Sequence, residues 1–140
     1  MLSHKTKIRV RYADTDQMKF VYNGKYLEYF EVGRTEMLRE NGLPYSRLEK
    51  SGYQLPLLEA KLTYKSPGFY DDVLIIEASV KEMPVFRIHI DYNITREETG
   101  DLVVEGYTDH VFINEKNKRP VRPPKFFLEA MKPFFEKIEN

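Results

Sequence analysis

The sequence predicts an α+β protein in which one curved antiparallel sheet wraps around a single long helix. Apolar residues recur with helical spacing over Gly24–Glu40 and with a period of two in the segments before and after it. The connections between the later strand segments are short, whereas parallel strands need crossovers of about a dozen or more residues. We therefore expect antiparallel pairs, with sheet and helix burying their apolar faces against each other.

The first two predicted elements occupy the N-terminal third of the chain. A half-buried strand is predicted over Thr6–Tyr12, where apolar and basic residues alternate. The long helix follows a polar connection, with Asn23 as a favourable N-cap residue. The dipeptide Asn41-Gly42 is a favourable stop signal, so we expect this helix to end near Glu40.

Four strands and a short helix are predicted in the rest of the chain. The strands are Gln54–Lys65, Asp72–Glu82, Val85–Arg96 and Leu102–Asn114. Proline or glycine stands in each connection between them, which predicts an antiparallel meander of neighbouring strands. The final segment, Lys125–Ile138, is predicted to be a helix that Pro133 interrupts. A single sheet leaves an edge uncovered, so association of identical chains through the sheet is expected.

The composition limits the classes of function. With 140 residues the chain fits one domain, residues 1–140, and its 22 basic and 22 acidic residues give no net charge. Nucleic-acid and anionic-membrane binders usually carry a basic excess, so neither partner is expected. Cysteine is absent, which excludes disulfides and thiolate nucleophiles, and no apolar signal or membrane-spanning run is present. The cytoplasm is the expected location.

Familiar catalytic motifs are missing from the sequence. It contains no Gly-x-Ser-x-Gly elbow, no phosphate-binding Gly-Lys-Ser/Thr loop and no Gly-x-Gly-x-x-Gly turn. The three histidines, His4, His89 and His110, lack metal-ligand spacing, so no metal site is predicted. His89 alternates with Arg87 and Asp91 on a strand, which favours a solvated position.

Carboxylate chemistry remains, centred on Asp14 and Asp16 between the first strand and the long helix. Aspartates are common in turns and caps, so a purely structural role is one interpretation. The alternative is acyl transfer, which needs a carboxylate facing hydrogen-bond donors across a cleft. The helix N-terminus near Asn23 would offer free backbone N–H groups, and Tyr22 and Tyr26 would offer apolar walls.

The segment from Arg9 to Glu36 resembles the signature of the 4-hydroxybenzoyl-CoA thioesterase-like hotdog family. That signature is an aromatic residue, an Asp-x-Asp pair, a run with two tyrosines and a Glu-x-x-Arg pair. The matching residues here are Tyr12, Asp14 and Asp16, Val21 to Tyr26, and Glu31 and Arg34. Asp72 before an apolar strand and the proline-rich run Arg119–Pro124 are also similar to family members. The resemblance covers essentially the whole chain and implies the hotdog fold.

The resemblance also implies an activity, the hydrolysis of acyl-CoA thioesters without metal or organic cofactor. It assigns the catalytic carboxylate to Asp16, as nucleophile or general base, and the carbonyl-polarising backbone N–H to Asn23. Tyr22 and Tyr26 then line the acyl pocket, although packing on the helix is an equally good interpretation. A homodimer or homotetramer is expected, with acyl-CoA as the partner molecule.

Two positions depart from the family pattern and keep other functions open. Lys19 stands where many relatives have glycine, and Asn23 stands where many have histidine. A backbone N–H survives the second change, since every residue except proline has one. The alternatives are a non-catalytic acyl-CoA-binding protein and a thioesterase for acyl groups on a carrier protein. A hotdog dehydratase fits less well, because that chemistry usually relies on a histidine in the site.

Overall fold

One sheet and one long helix form the framework of the computed structural model, which describes residues 1–136. The strands are β1 (Leu2–Arg9), β2 (Tyr53–Gln54), β3 (Leu57–Tyr64), β4 (Val73–Val80), β5 (Arg87–Arg96), β6 (Leu102–Asn114) and β7 (Pro120–Val121). The helices are α1 (Lys25–Glu40), α2 (Tyr45–Lys50) and α3 (Lys125–Met131), with 3₁₀ turns at Tyr12–Asp14 and Lys132–Phe134. The predicted α+β class is confirmed.

Helix α1 packs on the sheet through the apolar stripe that the sequence predicts. Phe30 is fully buried and stacks on Tyr92 of β5, with ring centroids 4.1 Å apart and planes 5° from parallel. Gly33 faces β4, where an added Cβ atom would lie 2.6 Å from the Cγ2 methyl of Ile76. A β-branched side chain on a strand has little freedom to move away. The close approach of helix and sheet therefore requires glycine at this position.

The strand order is β1-β4-β5-β6, and β6 also pairs with β2, β3 and β7, always antiparallel. The predicted meander is right for β4, β5 and β6 but wrong for β3, which pairs with β6 instead of β4. The reason is that β1 already occupies the other edge of β4, from the Leu2–Val80 pair to the Arg9–Val73 pair. Segment 65–72 must therefore cross the end of the sheet to connect β3 to β4.

The boundaries of the first two predicted strands differ most from the prediction, while β4 and β5 are one to two residues shorter at some ends. Strand β1 begins at Leu2 instead of Thr6 and ends at Arg9, because the chain then turns into the 3₁₀ helix Tyr12–Asp14. Pro56 separates β2 from β3, which were predicted as one strand. Proline cannot donate a ladder hydrogen bond, so it interrupts the pairing with β6.

The helices also differ in detail. Helix α1 begins at Lys25 with Gly24 instead of Asn23 as its N-cap, and the short helix α2 was not predicted. Pro133 lies in the 3₁₀ turn after α3, and the end of the helix predicted to reach Ile138 lies outside the described residues. Within residues 1–136, no helix combines the length and apolarity needed to cross a bilayer.

Candidate active site

The loop between β1 and α1 presents Asp16 on a tight excursion of the chain, residues 14–22, called here the Asp16 excursion. Its base is closed by the Tyr22 N–H, which donates to the Asp14 carbonyl (2.8 Å), and its tip by the Asp16 N–H, which donates to the Phe20 carbonyl (2.8 Å). Oδ1 of Asp16 accepts the N–H groups of Met18 (2.9 Å) and Phe20 (3.3 Å). One carboxylate oxygen is thereby fixed, whereas Oδ2 has no hydrogen-bond partner within residues 1–136.

Lys19 forms the turn at the tip of this excursion. Its φ of 67° lies in the left-handed region, and its N–H donates to the Asp16 carbonyl at 3.0 Å. Glycine reaches this region freely, whereas another residue is strained there by about 1–2 kcal/mol. The backbone conformation therefore explains why glycine suits this position in the family pattern. Lys19 adopts the same conformation in spite of this strain.

The N-terminus of α1 supplies the second half of the site. Asn23 precedes the N-cap Gly24 and lines the same cavity as Asp16. The backbone N–H groups of Asn23 and Gly24 donate to no acceptor in the described part of the chain. They are free to bind an oxygen atom, and the helix dipole favours negative charge at this end.

A cavity of about 310 Å³ lies between Asp16 and the start of α1. Its first wall comes from the Asp16 excursion and includes Phe20 and Val21. Its second wall comes from the end of β3 and the residues after it, namely Tyr64, Lys65, Ser66 and Pro67. The Tyr64 hydroxyl donates to the Asn23 carbonyl (3.3 Å), so the second wall is tied to the start of the helix.

The sequence did not predict this second wall as part of a site. Its turn residues carry no local signal for a position beside Asp16, because that position depends on the crossing from β3 to β4. The crossing segment is held by the Val21 N–H, which donates to the Gly68 carbonyl (2.9 Å), and by a bridge between Phe20 and Phe69. Both contacts join residues more than 40 positions apart in the chain.

The two tyrosines predicted to bind substrate have different surroundings. Tyr26 is 3% exposed and lines the cavity, and its hydroxyl accepts the Gly68 N–H at 3.3 Å. Burial raises the pKa of Tyr26, so this hydroxyl stays protonated at neutral pH. Tyr22 is 58% exposed, and its ring lies over Gly24, outside the cavity lining. Tyr26 thus belongs to both the core and the cavity.

Asp14, two residues before Asp16, is buried and fastens the excursion to α1. Its carboxylate accepts the Arg11 N–H (3.1 Å), the Arg11 guanidinium (3.2 Å) and the Tyr29 hydroxyl (3.0 Å), with Lys25 Nζ 3.7 Å away. Burial raises the pKa of Asp14, but the hydrogen bonds outweigh it and hold the pKa below its ordinary value. The two aspartates of the motif therefore have separate environments.

None of the three histidines lines the cavity. His110 is buried, with Nε2 2.9 Å from Thr108 Oγ1, and burial lowers the pKa of His110 to about 4. His89 lies on the exposed face between Asp109 (2.6 Å) and Asp91 (3.3 Å), a solvated position of the predicted kind. In the described residues, no group of three or more His, Cys, Asp or Glu side chains is arranged to hold a metal ion.

A long helix packed on a single antiparallel sheet, with a carboxylate in the cavity at the helix N-terminus, is the arrangement of a hotdog-type protein. Comparison with known proteins identifies the family. The chain belongs to the thioesterase-like superfamily, whose sequence model matches residues 10–131. It is 32% identical over 125 residues to the acyl-CoA thioester hydrolase YbgC of Escherichia coli, covering 89% of this chain and 92% of that protein.

Solved structures agree with this assignment. The DHNA-CoA thioesterase of Staphylococcus aureus superimposes with a TM-score of 0.85 and 28% identity, covering 99% of this chain and 98% of that one. A mutant 4-hydroxybenzoyl-CoA thioesterase in complex with 4-hydroxybenzoyl-CoA shares the fold, with a TM-score of 0.83 and 21% identity over 93% of this chain and 99% of that one. The predicted family and the hotdog fold are confirmed.

Asp14→Asn is expected to lower the free energy of unfolding by about 1–3 kcal/mol at pH 7, because the buried Tyr29 hydroxyl and the partly buried donors of Arg11 lose a charged acceptor. The folded-state pKa of Asp14 lies below its unfolded value, so its contribution is present above about pH 4 and is lost as the pH falls through the folded pKa. Urea unfolding at pH 7 and pH 3 measures both effects. The exposed carboxylate variant Glu115→Gln serves as the control. An equal loss at both pH values would contradict the prediction.

Proposed function

We propose that this protein hydrolyses acyl-CoA thioesters to a free carboxylic acid and CoA, with Asp16 and the backbone N–H of Asn23 as the acting groups. One observation carries the proposal: both groups line one cavity, and Asp16 Oδ2 and the Asn23 N–H have no partner within the described residues. The Escherichia coli relative with 32% identity is an acyl-CoA thioester hydrolase, which supports the same reaction.

The proposed chemistry begins when the thioester carbonyl oxygen accepts the Asn23 N–H. Negative charge that develops on this oxygen is stabilised by that donor and by the positive end of the α1 dipole. Asp16 then acts by one of two routes. In the first, Oδ2 attacks the carbonyl carbon, CoA leaves as the thiolate, and water hydrolyses the mixed anhydride. In the second, Oδ2 takes a proton from water as the resulting hydroxide attacks the same carbon. The tetrahedral intermediate then collapses with cleavage of the C–S bond, and the departing CoA thiolate takes up the proton from Asp16.

The acyl group is assigned to the walls of the cavity and the CoA phosphates to its mouth. Tyr26 supplies a buried ring and Tyr64 a half-exposed one, while the exposed ring of Tyr22 is assigned to the outer rim. Lys65 lines the cavity, and its ammonium lies 3.6 Å from Glu105 in a half-exposed ion pair. Such pairs contribute only about 0–1 kcal/mol, so Lys65 can exchange this carboxylate for a phosphate.

The contacts of the cavity also bear on the rival functions. A dehydratase would need an imidazole at the cavity, and no histidine of this chain lines it. A non-catalytic protein would bind acyl-CoA without turnover, and a carrier-protein thioesterase would act only on a carrier-bound acyl group. No contact among residues 1–136 favours either of these two functions, and an activity test distinguishes both from the proposed one.

Two copies of the chain are proposed to pair through β3. Among the described strands, β3 is hydrogen-bonded only to β6. Leu57 and Leu58 are 46% and 49% exposed on it, and an open apolar edge is a template for strand pairing. Tyr64, at the end of β3, lines the cavity, so the partner copy would lie beside the site.

The cytoplasm is proposed as the location of the protein, since a chain without cysteine is compatible with a reducing compartment.

Asp16→Asn is expected to lower kcat by about 100-fold or more, because the amide neither attacks the carbonyl nor takes a proton from water. The measurement is thiol release from a panel of acyl-CoA esters, short to long and aliphatic to aromatic. A thiol reagent meets no cysteine in the protein. Glu115→Gln is the matched carboxylate-to-amide control and keeps wild-type turnover. Full activity in Asp16→Asn would remove Asp16 from the mechanism, and binding without turnover by the wild type would favour a rival function.

The variants Asn23→Ala and Asn23→Pro separate the backbone from the side chain. Alanine keeps the N–H and is expected to keep kcat within a few-fold, whereas proline removes the oxyanion donor and is expected to lower kcat by about 100–1,000-fold. Circular dichroism and thermal melting establish that both variants fold. Similar kcat values for the two variants would show that the Asn23 N–H does not stabilise the oxyanion.

Pairing of two copies through β3 predicts that the native molecule has at least twice the chain mass of 16.7 kDa. Light scattering after size exclusion measures that mass. Leu57→Lys places a charge on the edge and is expected to shift the protein toward the monomer. Val85→Lys is the matched control, since Val85 is 81% exposed and lies outside the strands. A wild-type monomer, or equal masses for the wild type and Leu57→Lys, would refute pairing through β3.

A further inference from the structure

Segment 65–72, whose first three residues belong to the second wall of the cavity, is fastened at its far end by Asp72. The Asp72 carboxylate accepts Nε of Arg96 (3.0 Å) through Oδ2 and Nη2 of Arg96 (3.2 Å) through Oδ1. Oδ2 also accepts the N–H of Phe69 at 2.8 Å. The Asp72 and Arg96 side chains are only 13% and 20% exposed. A two-point bond between partly buried charges holds its geometry far better than an exposed single-point pair.

Arg96 also fixes the aromatic ring of Phe69. Its guanidinium carbon lies 5.1 Å from the centroid of that ring. The backbone of Phe69 is thus held by Asp72 and its ring by Arg96. A lysine in place of Arg96 would keep the charge but lose both the two-point hydrogen bond to Asp72 and the planar surface that stacks on Phe69.

Phe69 in turn contacts the excursion that presents Asp16. Phe69 and Phe20 form an antiparallel bridge, and their rings meet edge to face at a centroid distance of 5.5 Å. The Phe20 N–H donates to Asp16 Oδ1 (3.3 Å), and the Phe20 carbonyl accepts the Asp16 N–H (2.8 Å). A continuous set of contacts therefore runs from Arg96 through Phe69 and Phe20 to the Asp16 carboxylate.

Arg96 and Asp72 do not belong to the cavity that contains Asp16. They line a separate cleft of about 220 Å³, together with Arg9 and Glu97. Neither residue lines the cavity at Asp16, and the contacts described above join them to Asp16 through Phe69 and Phe20.

We propose that Arg96 and Asp72 are positioning residues, which hold Asp16 in its reactive orientation through Phe69 and Phe20. The assignment to the reaction rests on the proposed thioesterase function. The orientation of the carboxylate does not, because it is a property of the free protein. A displacement of about 1 Å at a reacting group costs up to about 100-fold in rate. Loosening this set of contacts should therefore lower kcat more than it raises KM.

Amide hydrogen exchange tests the structural part without any substrate. In Arg96→Lys, the Met18 and Phe20 amides are expected to exchange at least about tenfold faster, while the Ile90 amide in the middle of β5 keeps its wild-type rate. Lys7→Gln is the matched control, since it breaks the exposed Lys7–Glu97 pair (2.7 Å) beside the same cleft without touching segment 65–72. An unchanged Phe20 rate in Arg96→Lys, or equal acceleration of Phe20 and Ile90, would overturn the proposal.

Steady-state kinetics tests the functional part. Arg96→Lys and Asp72→Asn are each expected to lower kcat by about 10–100-fold, with KM within about threefold of wild type. The double variant should lose no more than either single one, and Arg96→Lys should have no further effect in Asp16→Asn, because all three act through one carboxylate. Wild-type kcat in Arg96→Lys overturns the positioning role. If the wild type hydrolyses no acyl-CoA, the proposed function fails, and the exchange rates alone decide whether Arg96 orients Asp16.

Discussion

The close contact between α1 and the sheet is the constraint on which the rest of the molecule depends. Gly33 lets the helix approach β4, and the stacked rings of Phe30 and Tyr92 set its position over β5. The helix axis is then fixed, and so is the place where its N-terminus emerges. That place is beside the Asp16 excursion, where Asn23, whose N–H has no acceptor in the described residues, lines the cavity. The close packing of α1 on the sheet thus determines where the positive end of the helix dipole lies in the site.

The pairing of β1 with β4 has an equally direct consequence for the site. Since β1 takes the free edge of β4, β3 cannot pair with β4 and joins the sheet at β6. The connection from β3 to β4 must then cross the sheet end, and on its way it passes the Asp16 excursion and forms the second cavity wall. The bond between Asp72 and Arg96 ends this crossing. The crossing from β3 to β4 therefore forms the second cavity wall, and the Asp72–Arg96 ion pair holds the end of the crossing segment.

Two aspartates separated by a single residue have different tasks because their surroundings differ. Asp14 is buried, and its carboxylate is occupied by Arg11 and Tyr29, which makes it part of the framework. Asp16 is half-buried, with one oxygen fixed by backbone N–H groups and the other directed to no described partner. A buried charge is stable only when hydrogen bonds compensate its lost hydration, and the carboxylate oxygens of Asp14 already accept such bonds. The proposed function therefore uses Asp16.

The amino-acid sequence by itself determined the long helix, the approximate positions of the five predicted strand segments and the family, because hydrophobic periods and the signature from Arg9 to Glu36 are local properties. It also singled out Asp16, Asn23 and Tyr26, three residues that the fold brings to one cavity. Only the tertiary structure decided that β3 pairs with β6, that Asp14 is buried, that Tyr22 lies outside the cavity, and that Tyr64 and Lys65 complete it. These facts depend on which strand edge is free and which segment crosses the sheet. Both depend on which of several distant segments pairs with a given strand edge. A local sequence pattern contains no information about that choice.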